Sequence, residues 1–497
     1  MVWRSQNKSE MLKKCAVIGS GIGGLAAAIR LAAKGLKVDV FETNNYPGGK
    51  LREHFSSGFR FDTGPSVFTM PHLIDELFTL CGKNPRDYFN YTRLDTAFNY
   101  FFEDGTCIHA YSNIARFAQE LEDKTSDTKE SFHRFLRDVE EKFNVINEVF
   151  IENSLHIVSN YFTRRVAVGL ANFYKIDAFK TMEEGNKKFF RDQRLVQLFN
   201  NYALYVGSNP LVAPATLNLI PHLVVNNGTY VADHGMYSIV KALVRLAEEM
   251  GVTFHYDSFV EEIILEKDKA IGIRLKGVEL KYDRIVSNMD VYYTYEKLLP
   301  GIKKPKRLLS QPKSSSIIGF YLGIKGTHPE LGVHNMLFTK NEREEYESVF
   351  NGKTMSDDPS VYICITSKRV AEDAPEGCEN WFILVTAPND QGQDWDEIVQ
   401  RTRRNVMAKI NRVLSISLEG KILTEDVMTP PDIRSRYWSA FGAVFGNSSN
   451  SRLSAFLRHP NFSRQVKGLY FVGGSVHPGA GIPMCLNSAK IMDKIFD

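Results

Sequence analysis

Four apolar residues, Cys15-Ala16-Val17-Ile18, run straight into the turn Gly19-Ser20-Gly21-Ile22-Gly23-Gly24. LAAAIRLAAKG then reads as an Ala/Leu-rich helix ending on Gly35, and Val38-Asp39-Val40-Phe41 as a second strand closing on Glu42. A GxGxxG gains its meaning from this strand–turn–helix–strand context within about 30 residues. Gly19 permits the tight turn, and Gly21, beside Gly23, lets backbone approach a pyrophosphate. Gly24 lets the helix pack close to the sheet. The helix N-terminus then turns its N–H groups toward the phosphates. Glu42 lies 18 residues beyond Gly24, where a carboxylate accepts hydrogen bonds from ribose hydroxyls and repels a 2′-phosphate. A dinucleotide site without that phosphate is the first expectation.

A chain of 497 residues is too long for one core, so two or three domains are expected. A net charge of +3 gives no reason to expect a nucleic-acid partner. The six cysteines are scattered without CxxC pairs or zinc spacing, which predicts no metal and a reduced, cytoplasmic setting. No run approaches ~18 apolar residues, so no membrane-spanning helix is expected. Met1 to Glu10 is short and polar, unlike a signal peptide.

A second glycine pair follows the nucleotide unit in Pro47-Gly48-Gly49-Lys50-Leu51-Arg52. Gly49 again allows backbone against a cofactor, and Lys50 or Arg52 can neutralise phosphate. Phe61-Asp62-Thr63-Gly64-Pro65-Ser66 adds a turn with a proline and a hydroxyl. Residues 91–111 read as a hairpin about Glu103-Asp104-Gly105, and residues 112–199 as charged helices. Gly235 to Met250 is an amphipathic helix, followed by strands that return through Asp283 to Asp290. Near the end, Gly468 to Val472 is a buried strand, Gly473-Gly474-Ser475 a turn, and Gly479 and Gly481 open the last helix.

The segments GSGIGGLAAAIRLAAKG, FETNNYPGGKL, FRFDTGPSVFTMP, YVGSNPLVAPATL, DRIVSNMD and YFVGGSVHPGAGIP resemble carotenoid desaturases of the bacterial phytoene desaturase type. The likeness covers almost the whole chain. It is nearest to flavobacterial 1-hydroxycarotenoid 3,4-desaturases, with diaponeurosporene oxidases as runner-up and phytoene or diapophytoene desaturases as further members. A non-catalytic isoprenoid-binding relative of the same fold is the alternative from another class.

The resemblance implies an α/β fold with α+β insertions. An FAD-binding Rossmann-like domain of the amine oxidase/desaturase type (11–90, 226–290 and 460–497) would carry a mixed-sheet substrate domain (91–111 and 291–459). A helical, membrane-facing part would span 112–225. It implies FAD, held by Gly19, Gly21, Gly23, Gly24, Glu42, Gly49, Lys50, Arg52, Gly64, Pro65 and Ser66. Later in the chain Val260 would offer backbone to the adenine, and Asn288, Gly473, Gly474, Ser475, Gly481, Ile482 and Pro483 would complete the site.

The implied reaction removes two hydrogens from a C–C bond of a carotenoid, with hydride passing to flavin N5 and oxygen or a quinone as final acceptor. No acid–base dyad is demanded. His477 is the one candidate catalytic residue, with a loop-fixing role as the other reading. Phe68, Met70, Tyr202 and Tyr205 are candidate tunnel residues. Residues 158–190, with Arg164, Arg165, Lys175 and Lys180 among aromatics, suit a peripheral contact with the inner membrane.

Overall fold

The computed structural model describes residues 13–154, 156–172, 176–451 and 458–496. β1 (Lys14–Ile18) lies at the centre of a five-stranded sheet. On one side it pairs with β2 (Lys37–Phe41) and then Thr253–His255. On the other come Arg284–Ser287 and Leu469–Phe471, all parallel. A strand so placed is covered on both faces, which is why it reads as an unbroken apolar run rather than an alternation.

α1 (Ile22–Ala33) is buried from Ile22 to Ala32. It packs between the helices Tyr237–Glu249 and Ile482–Ile495, and its small Ala-rich surface permits contact on every side. Arg30 survives that burial through a 2.6 Å ion pair with Glu76.

The strands Val260–Glu266, Lys269–Leu275 and Val278–Lys281 form a separate antiparallel meander. A seven-stranded mixed sheet takes its strands in the order Ile422–Met428, Ser316–Lys325, Cys378–Ala387, Val361–Ile365, His334–Leu337, Thr96–Phe101 and Cys107–Tyr111. Only the His334–Leu337 and Thr96–Phe101 pair in it is parallel. The hairpin expected about residues 103–105 is present, whereas Tyr91–Arg93 leaves it and pairs with Tyr230–Ala232.

Helix Trp395–Leu414 covers one face of this sheet through Val406 and Ile410. Helices between Ile114 and Asn200 pack Phe117, Phe132, Phe135 and Phe199 against Phe98, Tyr100 and Phe102. Among the described residues no helix is long and apolar enough to cross a membrane.

Candidate active site

Two glycine turns from opposite ends of the chain meet at Asn288. The Asn288 N–H donates to the Ile18 carbonyl at 2.8 Å, extending the sheet by one residue. A Cβ placed on Gly21 would fall 2.7 Å from Asn288 Nδ2, and one on Gly23 or Gly473 2.7 Å from Asn288 Oδ1. A Cβ on Gly24 would collide with the Gly19 carbonyl, and one on Gly49 would lie 3.2 Å from Gly21 Cα. These backbones are therefore bare where the first sheet ends. Gly19 itself has φ +93°, which only glycine adopts without strain.

The donors of this cradle suit an anion. α1 begins at Gly21 with no side-chain cap and no acidic residue in its first turn. The Ile482–Ile495 helix likewise begins at Gly481, with Pro483 in its first turn and neither cap nor acid. Helix N-termini left open in this way have unpaired N–H groups and a positive dipole end. Ser475 Oγ accepts from the Val291 N–H at 3.0 Å, which leaves its own hydroxyl hydrogen to donate. Gly474 lies against Ala480, so the 473–475 turn and the 479–483 loop are in contact.

Glu42 is buried at the tip of β2. Its Oε2 accepts from Ser20 N at 2.9 Å and Ser20 Oγ at 2.6 Å, and its Oε1 from Asn44 N at 2.9 Å and Asn44 Nδ2 at 3.0 Å. The backbone donors hold the carboxylate in place. The two side-chain donors occupy lone pairs that ribose hydroxyls can take over. Ser258 N donates to the Glu42 carbonyl at 2.8 Å, so Val260, two residues on, stands beside the same corner. Bare backbone, open helix ends and a carboxylate at the strand tip together fit a dinucleotide.

The remaining sequence candidates divide. Lys50 is tied to the Val444 carbonyl at 2.7 Å, and burial lowers its pKa, with Asp290 opposing the shift. Arg52 lies over the Tyr46 ring at 5.3 Å. Gly64 abuts the Lys50 carbonyl, and Pro65-Ser66 continue from it, Ser66 Oγ lying 2.8 Å from the Tyr362 hydroxyl. Phe68 and Met70 belong to the core that surrounds α1, Phe68 packing on Tyr91 and Tyr230. Tyr202 and Tyr205 pack with tilted rings 5.1 Å apart beneath the mixed sheet, with Tyr202 Oη 3.2 Å from Tyr100 Oη. The first pair and the second thus lie in different cores.

His477 is fully buried, and its Nε2 is 2.9 Å from the Asn153 carbonyl. Burial holds its pKa down to about 3, which keeps the ring neutral. The bond from His477 to Pro478 is cis.

Asp290, Asn461 and His334 join the site without being among the sequence candidates. Asp290 accepts from Tyr292 N at 2.9 Å and Ala440 N at 3.2 Å. Asn461 Nδ2 donates to the His477 carbonyl at 2.9 Å and to Ser488 Oγ at 3.0 Å. Asp290 was visible as the acid closing SNMD; nothing in the sequence marked the other two.

The sequence model of flavin containing amine oxidoreductases matches residues 22–491. The chain belongs to this family. Among curated family relatives, the 1-hydroxycarotenoid 3,4-desaturase of Flavobacterium sp. (strain P99-3) is 43% identical over 97% of this chain and 98% of its own. The 4,4'-diaponeurosporene oxygenase of Staphylococcus aureus (strain MSSA476) is 34% identical, covering 98% of both chains. Wild-type putrescine oxidase bound to putrescine shares the amine oxidoreductase fold, with a TM-score of 0.62 at 13% identity over 97% of this chain and 98% of that one.

Proposed function

We propose that the protein is an FAD-dependent carotenoid desaturase that introduces the 3,4 double bond into a 1-hydroxycarotenoid. The observation that carries this is the 43% identity with the Flavobacterium desaturase along 97% of the chain. The glycine cradle at Asn288 supports it, because it keeps the features that hold a dinucleotide. When bound, FAD supplies the oxidising half, accepting a hydride while a proton leaves the adjacent carbon.

The chain's own part is binding and exclusion of water. The first turn of α1 would hold the pyrophosphate, Glu42 the ribose, the 258–260 backbone the adenine, and Ser475 with Gly481, Ile482 and Pro483 the flavin end. Residues 11–90, 226–290 and 460–497 would serve the cofactor, and 91–111 with 291–459 the substrate. Oxygen or a quinone would take the electrons.

A carotenoid must come from a bilayer. Val158, Phe162 and Phe179 are 71%, 85% and 76% exposed, with Arg164 and Lys180 also on the surface. Lys175 lies outside the described residues. Apolar side chains ringed by cations suit shallow insertion into an anionic surface, which would place the protein at the cytoplasmic side of the inner membrane.

The test is expression in cells that accumulate 1-hydroxylated carotenoid. A product lighter by two hydrogens, with a longer-wavelength absorption, is expected. The 34% identity with the staphylococcal oxygenase favours terminal-methyl oxidation as the second reading, and a product that gains oxygen would select it.

A further inference from the structure

His334 opens a strand of the mixed sheet and is 2% exposed. Its Nδ1 is 2.8 Å from the Tyr362 hydroxyl, which is in turn 2.8 Å from Ser66 Oγ. Phe98 stacks on the imidazole with 5.0 Å between ring centres. The other nitrogen, Nε2, is buried and has no hydrogen-bond partner among the described residues. His334 is also among the residues lining a void of about 10 Å³, the room of a single water oxygen.

A buried nitrogen left unpaired costs about 1–3 kcal/mol, and native folds keep few of them. This one is anchored rather than loose. Ser66 follows Gly64-Pro65, and Gly64 is pressed against the Lys50 carbonyl. The imidazole therefore stands two hydrogen bonds from the loop that lies along the candidate cofactor segment. Burial also keeps it neutral, with its pKa held down to about 3. A neutral imidazole has one donor and one acceptor nitrogen, so whichever role Tyr362 selects at Nδ1, Nε2 has the other. A hydroxyl, being both donor and acceptor, can meet either.

We propose that His334 Nε2 receives the hydroxyl at the end of the polyene substrate and so sets which C–C bond is oxidised. This rests on the desaturase reading above. A polyene is a repeat of nearly equal apolar units, and an apolar tunnel holds it with little preference for register. One directional hydrogen bond removes that degeneracy. In a 1-hydroxycarotenoid the oxygen is on C1, two bonds from C3, so holding it fixes the reach of the 3,4 bond. The void has room for the oxygen alone, and its lining, Phe61, Met236 and Phe382 included, must shift to admit the carbon chain. A polar group left waiting also rejects the analogue without the hydroxyl, by as much as ~10⁴-fold where the pairing is complete.

The experiment sets a 1-hydroxylated polyene against the same polyene without the hydroxyl, using the flavin-loaded full-length protein. The wild type is expected to prefer the hydroxylated substrate. His334→Phe should lose about 100-fold in kcat/KM on it while the other substrate changes by less than about threefold. His334→Gln should recover part of the loss. Tyr362→Phe removes the anchor and keeps the ring; it should lower the preference by about tenfold, and it decides the matter if His334→Phe fails to fold. Equal losses on both substrates overturn the proposal in favour of a packing role. An unchanged preference overturns it too, leaving Nε2 to a buried water. A wild type that desaturates neither compound defeats the desaturase reading, and the proposal falls with it.

Discussion

Glu42 holds Ser20 by two hydrogen bonds, from the Ser20 N–H at 2.9 Å and its hydroxyl at 2.6 Å. The carboxylate that would meet the ribose is thus also the clamp on the glycine turn. Glu42→Ala should remove both roles. Hydrogen bonds to a charged group contribute about 1.5–3 kcal/mol, so flavin affinity is expected to fall roughly 10- to 100-fold. Flavin absorbance after gel filtration reads this out, and a fully loaded variant would refute the ribose role.

Gly21 and Gly24 separate cofactor binding from folding. A side chain on Gly21 meets the side-chain amide of Asn288, whereas one on Gly24 meets the Gly19 backbone. Gly21→Val should therefore fold without flavin, with a melting temperature close to that of flavin-free wild type. Gly24→Val should lower stability by more than about 3 kcal/mol. Equal melting temperatures for the two variants would contradict the assignment.

Three buried histidines contribute to the acid limb of stability. His334, His459 and His477 are held by burial at about 3, about 4 and about 3, below the ordinary 6.5. From 6.5 downward the unfolded chain binds more protons, so stability falls as pH drops. Glu345 acts oppositely, since burial raises its pKa from 4.5 to about 7. Its contribution is complete below 4.5 and is lost as pH rises through 7. Urea midpoints should fall most steeply below pH 4.5, and Glu345→Gln should raise the midpoint at pH 8.

Asp62 accepts from Met236 N at 2.8 Å and Tyr237 N at 3.0 Å while pairing with Arg60 at 2.8 Å. It is buried at the start of the Tyr237–Glu249 helix. Asp62→Ala leaves two helix N–H groups unpaired while Arg60 keeps Glu53 and Asp373, and should cost about 2–5 kcal/mol. Denaturant titration of the flavin-free protein measures it.

The exposed aromatics at Phe162 and Phe179 predict membrane behaviour. Full burial of such a side chain contributes about 1.5–3 kcal/mol, so Phe162→Ser with Phe179→Ser should weaken co-sedimentation with anionic vesicles at least tenfold. Added salt should weaken the wild type further. Unchanged sedimentation of the double variant would remove this surface from consideration.

The nucleotide unit was legible because every part of it lies within residues 15–42. Strand, bare turn, small-residue helix and terminal acid are local requirements, and local requirements leave contiguous marks. FDTGPS was harder to interpret. Its glycine and serine suggested a cofactor turn, and Asp62 beside them caps a helix that begins 175 residues later. The candidate tunnel residues were the least legible. Phe68 and Met70 share a core with α1 while Tyr202 and Tyr205 pack under the mixed sheet, and composition does not distinguish one buried aromatic from another.

From sequence alone came the dinucleotide unit opening at Gly19, its carboxylate at Glu42 and the likeness of the whole chain to carotenoid desaturases. Only the tertiary structure decided that Asn288 lies between Gly21 and Gly473 and that Ser66, Tyr362 and His334 form one chain. Tyr362 and His334 are 28 residues apart, but Ser66 lies 296 from Tyr362. The direction of a side chain at a sheet end depends on which strands become neighbours. Periodicity records how a segment folds; the meeting of two such segments is settled by packing.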